Sequence, residues 1–130
     1  IIATQPISVV QFSESGCDVL IYEKILNKLK SNNAIVALKV HPRESVKKYQ
    51  EKLLGVDFIE SKIPLELVLF SSEIQTHIVS IYSTAGMGFE GYCNRITLIN
   101  DAEVEHIDQV LSSWKTSPEK IDVRIKEVLN

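Results

Sequence analysis

Five short apolar runs alternate along the chain with segments of helical periodicity, and no other feature limits the fold as much. The runs cover residues 1–4, 34–40, 56–59, 76–82 and 95–99. They are too short for buried helices, and branched residues dominate them, so they read as strands. Between them lie the helical patterns. In 18–30, Val19, Ile21, Tyr22, Ile25, Leu26 and Leu29 fall on one face, and Ser31-Asn32-Asn33 is a stop. Further helices are predicted over 44–54, closed by Gly55, and over 65–70, introduced by Pro64. Another follows Ser83-Thr84, and the last two cover 101–115 and 118–129. Strands that alternate with helices make a parallel sheet with right-handed crossovers and helices on both faces. The fold class is therefore α/β, a Rossmann-like three-layer αβα arrangement.

The 130 residues, 45% hydrophobic and 24% charged, fit one domain over 1–130. The chain opens without methionine, directly in a strand-like run, which suggests a domain excised from a longer protein. A net charge of −3 argues against a nucleic-acid partner, which calls for a basic face. No apolar stretch approaches the roughly 20 residues of a membrane-spanning helix. Two cysteines, Cys17 and Cys93, form no disulfide framework and fit a reduced cytoplasmic setting.

The candidate site starts at Lys39-Val40-His41-Pro42, where the second apolar run stops. Proline cannot donate to a ladder, so pairing should end there. Lys39 and His41, two apart, would face the same side of a strand. In an open α/β sheet, ligands bind at the C-terminal strand ends. Two further groups belong at that edge. Glu66 lies in the first turn after Pro64, and a carboxylate there can accept hydrogen bonds from ribose hydroxyls. Ser83-Thr84 should open a helix, whose N-terminus and hydroxyls suit a phosphate. Each residue also has a plainer reading. Lys39 can snorkel, Glu66 can favour a helix start, and Ser83 or Thr84 can be an N-cap.

In this order and spacing, Lys39-Val40-His41-Pro42, then Pro64-Leu65-Glu66-Leu67, then Ser83-Thr84, the sequence resembles bacterial sialyltransferases of the GT-B type. These are the lipooligosaccharide sialyltransferases and capsular polysialyltransferases. Thr4-Gln5-Pro6 also looks like the opening of their C-terminal, CMP-sialic acid-binding domain. The resemblance spans 4–101. It implies that His41 contacts the CMP phosphate and aids its departure, and that Pro42 beside it also belongs to the donor-binding set. It implies that Ser83 and Thr84 bind the same phosphate, that Glu66 holds the ribose, and that Lys39 lies beside the cytosine and ribose. The implied reaction is inverting transfer of sialic acid from CMP-sialic acid to a lipooligosaccharide or capsular glycan, with no metal or other cofactor. The implied partners are the donor, the acceptor glycan and an N-terminal domain of the same enzyme. That domain would carry the general base, because no Asp/Glu-Asp/Glu-Gly motif occurs here, and the fragment alone should be inactive. The implied location is the cytoplasm or, as a peripheral protein, the inner face of the bacterial inner membrane.

Other features carry less. Gly86-Met87-Gly88 reads as close packing rather than as a dinucleotide fingerprint. His77 and His106 have no cysteine or carboxylate at metal-ligand spacing. Arg43 reads as solvated, and Trp114 as core or as an interdomain contact. Two alternatives stay open: a GT-B domain for another nucleotide sugar, such as a UDP-sugar, and a non-enzymatic flavodoxin-like interaction domain.

Overall fold

A computed structural model of the chain describes residues 1–5, 16–71, 76–82 and 91–129. The strands are β1 (Ile2–Ala3), β2 (Ala37–Lys39), β3 (Asp57–Ile59), β4 (Thr76–Ser80) and β5 (Cys93–Thr97). The helices are α1 (Cys17–Ser31), α2 (Lys47–Gln50), α3 (Leu65–Ser71), α4 (Ile107–Thr116) and α5 (Glu119–Val128), with a 3₁₀ segment at Asp101–His106. All strand pairs are parallel and the order is β3-β2-β1-β4-β5. The α/β, Rossmann-like prediction therefore holds. β1 is central, and the strand order reverses beside it, between β1 and β4.

Strand alternation divides the core between the two faces. Ile2, Leu38 and Val79 point to one side, where α1, Tyr49, Leu53, α4 and α5 build the main core. Ala3, Ile78 and Cys93 point to the other, against Leu65 and Leu69 of α3. Trp114 belongs to the main core and is buried. The guanidinium of Arg124 lies 5.5 Å from its ring centroid.

Several boundaries differ from the pattern-based ones, each for a local reason. The second run does not start as a strand. Asn33 sits at φ 61, and the Asn33 and Ala34 N–H groups bond the carbonyls of Lys30 and Leu29. That is a Schellman closure of α1, and it carries Ile35 outward to 99% exposure. The helix expected over 44–54 shrinks to Lys47–Gln50. Bonds from Glu44 to His41 and from Lys48 to Ser45 are the i→i+3 kind, and the Glu44 side chain turns inward. The helix expected from residue 101 begins instead as the 3₁₀ segment. Asn100 and Glu103 form a reciprocal capping box there, and Arg124 grips the Glu103 carboxylate at 2.6 and 2.8 Å. Among the described residues, no helix is long and apolar enough to cross a membrane.

Candidate functional site at the strand exits

The C-terminal ends of β1, β2 and β4 meet at the reversal point of the sheet, where open α/β sheets bind ligands. Thr4 and Gln5, just past β1, bind both neighbours. Thr4 N–H donates to the Lys39 carbonyl at 3.0 Å. The next rung of a parallel ladder would run from His41 N–H to the Thr4 carbonyl. Instead, His41 N–H donates to Thr4 Oγ1 at 3.0 Å. A side chain thus takes the rung, the strands part, and Pro42 offers no N–H to rejoin them. On the other side, Tyr82 N–H donates to Gln5 Oε1 at 2.8 Å, while Gln5 N–H donates to the buried Tyr22 hydroxyl at 3.0 Å.

His41 is half-buried at this corner. Its Nδ1 accepts the Arg43 N–H at 3.0 Å. The neutral ring therefore carries its proton on Nε2, as a donor. The expectation that Lys39 and His41 share a strand face does not apply, because β2 ends at Lys39 and His41 lies in the turn beyond it. Lys39 is 6% exposed. Its ammonium donates to the Val40 carbonyl at 2.8 Å and to Ser61 of the β3–α3 connection at 3.1 Å. Burial lowers its pKa, and the nearby Glu66 carboxylate opposes that effect. Lys39 thus braces two strand exits. Glu66 is half-buried in the first turn of α3, as predicted, and lies within electrostatic reach of Lys39. Ser83 and Thr84 lie outside the described residues, as do Pro6 and Gly86-Met87-Gly88. Tyr82, which directly precedes Ser83 in sequence, is the residue that Gln5 holds.

Behind His41 lies a buried ionic cluster that pattern reading did not single out. Thr4 Oγ1 donates to Glu44 Oε1 at 2.8 Å, and the Tyr49 hydroxyl donates to Glu44 Oε2 at 2.6 Å. Lys48 Nζ pairs with Glu44 at 2.9 Å and with Asp18 of α1 at 2.6 Å. The side chains of Asp18 and Glu44 are 0% and 5% exposed, and that of Lys48 is 32% exposed. Burial works against the Lys48 ammonium, but the two carboxylates outweigh it and hold its pKa above the ordinary lysine value. Burial raises the pKa of Tyr22, and burial together with the Glu44 hydrogen bond raises that of Tyr49. Both phenols therefore keep their protons at physiological pH. By helical spacing over 44–54, Tyr49 falls on the apolar face with Val46 and Leu53, and Lys48 on the opposite, charged face. The available signal was Thr4-Gln5, polar residues at the exit of a strand that the topology puts at the centre.

Among the described residues, no group of three or more histidine, cysteine, aspartate or glutamate side chains could hold a metal ion. His77, on β4, is exposed, and its Nδ1 lies 3.4 Å from Asn94 Nδ2. His106 is exposed at the end of the 3₁₀ segment.

The family model described as alpha-2,8-polysialyltransferase matches residues 4–101. The match starts at the Thr4 clamp and takes in β2, α3, β4 and β5. Comparison with curated proteins and with solved structures gives no match.

Proposed function

Since the chain belongs to the alpha-2,8-polysialyltransferase family, we propose that it is the donor-binding, C-terminal Rossmann-like domain of a GT-B sialyltransferase, with CMP-sialic acid as donor. The observation that carries this reading is the His41 corner. A half-buried imidazole, with Nδ1 already engaged, stands beside the strand-order reversal of a parallel sheet. A sialyltransferase of this kind acts on a nucleotide-sugar donor and an acceptor glycan.

In the proposed reaction, an acceptor hydroxyl attacks the anomeric carbon of sialic acid as the bond from that carbon to the phosphate oxygen breaks. The configuration inverts and CMP leaves. His41 Nε2–H donates to the phosphate and offsets the charge that builds there. Ser83 and Thr84 bind the same phosphate, and Glu66 accepts from the ribose hydroxyls. Lys39 acts mainly by bracing the β2 and β3 exits that flank the nucleoside, and Pro42 ends the strand so that the corner stays open. No step in this scheme requires a metal. The base that deprotonates the acceptor belongs to an N-terminal domain, so 1–130 forms one donor-binding unit of a two-domain enzyme. The acceptor is a cell-surface glycan of the lipooligosaccharide or capsule type, reached from the cytoplasmic face of the inner membrane.

Titration of CMP, UMP and AMP, followed by NMR or calorimetry, tests this. CMP should bind preferentially, and His41→Ala and Glu66→Ala should each weaken it at least tenfold. A preference for UMP would reassign the domain to a UDP-sugar. Failure of every nucleotide to bind, including when the N-terminal domain is present, would overturn the glycosyltransferase reading at this site.

A further inference from the structure

We propose that Glu44 is a positioning residue for His41, acting through the Thr4 hydroxyl and anchored by Lys48, Tyr49 and Asp18. The inference rests on the nucleotide reading for its functional consequence, though not for its geometry. A hydroxyl can accept from one neighbour while donating to another, and its proton decides which lone pairs face where. At Thr4, the proton points to Glu44 Oε1 at 2.8 Å, which turns the oxygen's lone pairs toward His41 N–H at 3.0 Å. A carboxylate can only accept, so this polarity is fixed for as long as Glu44 is ionised. Its other oxygen takes the Tyr49 hydroxyl and the Lys48 ammonium, so the carboxylate has little freedom to rotate.

The same geometry excludes a more obvious role. Lys48 stands near the corner and looks suited to an anionic ligand, but its ammonium already serves two buried carboxylates. Two acidic groups and one ammonium leave a net negative charge, which repels phosphate. The cluster therefore acts behind the site. It transmits the position of the first turn of α1, which carries Asp18, to the backbone of His41 just past β2.

Binding and amide exchange, measured together on the full chain, test this. The variants are Glu44→Gln, Thr4→Val and Thr4→Ser. Glutamine would set an amide N–H₂ against donors, valine removes the hydroxyl, and serine keeps it. Without ligand, the His41 amide should exchange at least tenfold faster in E44Q and T4V than in wild type. In T4S it should stay within about threefold of wild type by the retained hydroxyl. CMP affinity should fall about tenfold in E44Q and T4V and be largely restored in T4S. In a His41→Ala background, E44Q should weaken CMP by less than twofold, because its effect passes through that side chain. An E44Q penalty of equal size with and without His41, or an unchanged His41 amide, would overturn the proposal. If no nucleotide binds wild type while the amide responds as described, the nucleotide reading fails and the link from Glu44 to His41 stands.

Discussion

Replacing Lys48 with methionine should expose the electrostatic tension inside the cluster. The ammonium bonds Asp18 and Glu44 at 2.6 and 2.9 Å, so the two carboxylate oxygens lie no further apart than those distances combined. Without it, two carboxylates face each other in a largely dry interior. Their repulsion has a ceiling, because one of them can take up a proton instead. At pH 7, protonating a carboxyl of ordinary pKa about 4.3 costs about 3.7 kcal/mol, at about 1.36 kcal/mol per pH unit. Thr4 and Tyr49 still donate to Glu44, and the Lys48 side chain is 32% exposed, so water relieves part of the strain. A loss of about 2–3.5 kcal/mol at pH 7 follows, near the range for breaking a buried pair. The sign with pH is fixed. The variant has gained a carboxyl that holds its proton more tightly when folded, so it is penalised increasingly as pH rises. The deficit should therefore shrink to about 1 kcal/mol at pH 5. Urea denaturation of wild type and K48M at pH 5, 6 and 7 measures it. A deficit below about 0.5 kcal/mol at pH 7, or one that is the same at pH 5 and pH 7, would refute the reasoning. Adding Asp18→Asn should remove most of the extra pH dependence, since a lone Glu44 keeps two hydroxyl donors.

Two further outcomes test the frame around the site. Arg124 holds the Glu103 carboxyl below the usual carboxylate range, so this pair stabilises the fold fully above about pH 4.3 and loses effect as pH falls through the folded pKa. Arg124→Met should cost about 1–3 kcal/mol at pH 7, and the gap in thermal melts should narrow below pH 4; a constant gap from pH 7 to pH 3 would count against the pair. Gly55 sits at φ 73, and a Cβ there would collide with Lys30 Nζ, which caps the Leu54 carbonyl at 2.7 Å. Gly55→Ala should cost about 1–2 kcal/mol, and Lys30→Ala should relieve the clash but leave the backbone strain; a neutral G55A variant would refute both parts.

Local composition was enough for the layer architecture. Short branched runs, spaced by helical periods, admit few arrangements other than a parallel sheet covered on both faces. The helix stop at Ser31-Asn32-Asn33 and the entry of α3 after Pro64 were also legible, because capping chemistry acts within a few residues. So were His41 as a corner residue and Glu66 in a first turn. What pattern could not supply was every contact that joins distant segments. The face of Lys39 relative to His41 depended on where β2 stopped, and the Thr4 hydroxyl just past β1 decided that. The length of α2 depended on the Glu44 side chain being drawn inward, to Thr4 and Tyr49. Lys48 reads as a solvent-facing charge in sequence and in the fold bridges Asp18 to Glu44. The sequence by itself determined which residues lie at the strand exits. Only the tertiary structure decided which of them meet, because β1 sits between β2 and β4 and so brings Thr4 and Gln5 into contact with residues 37 and 77 positions away.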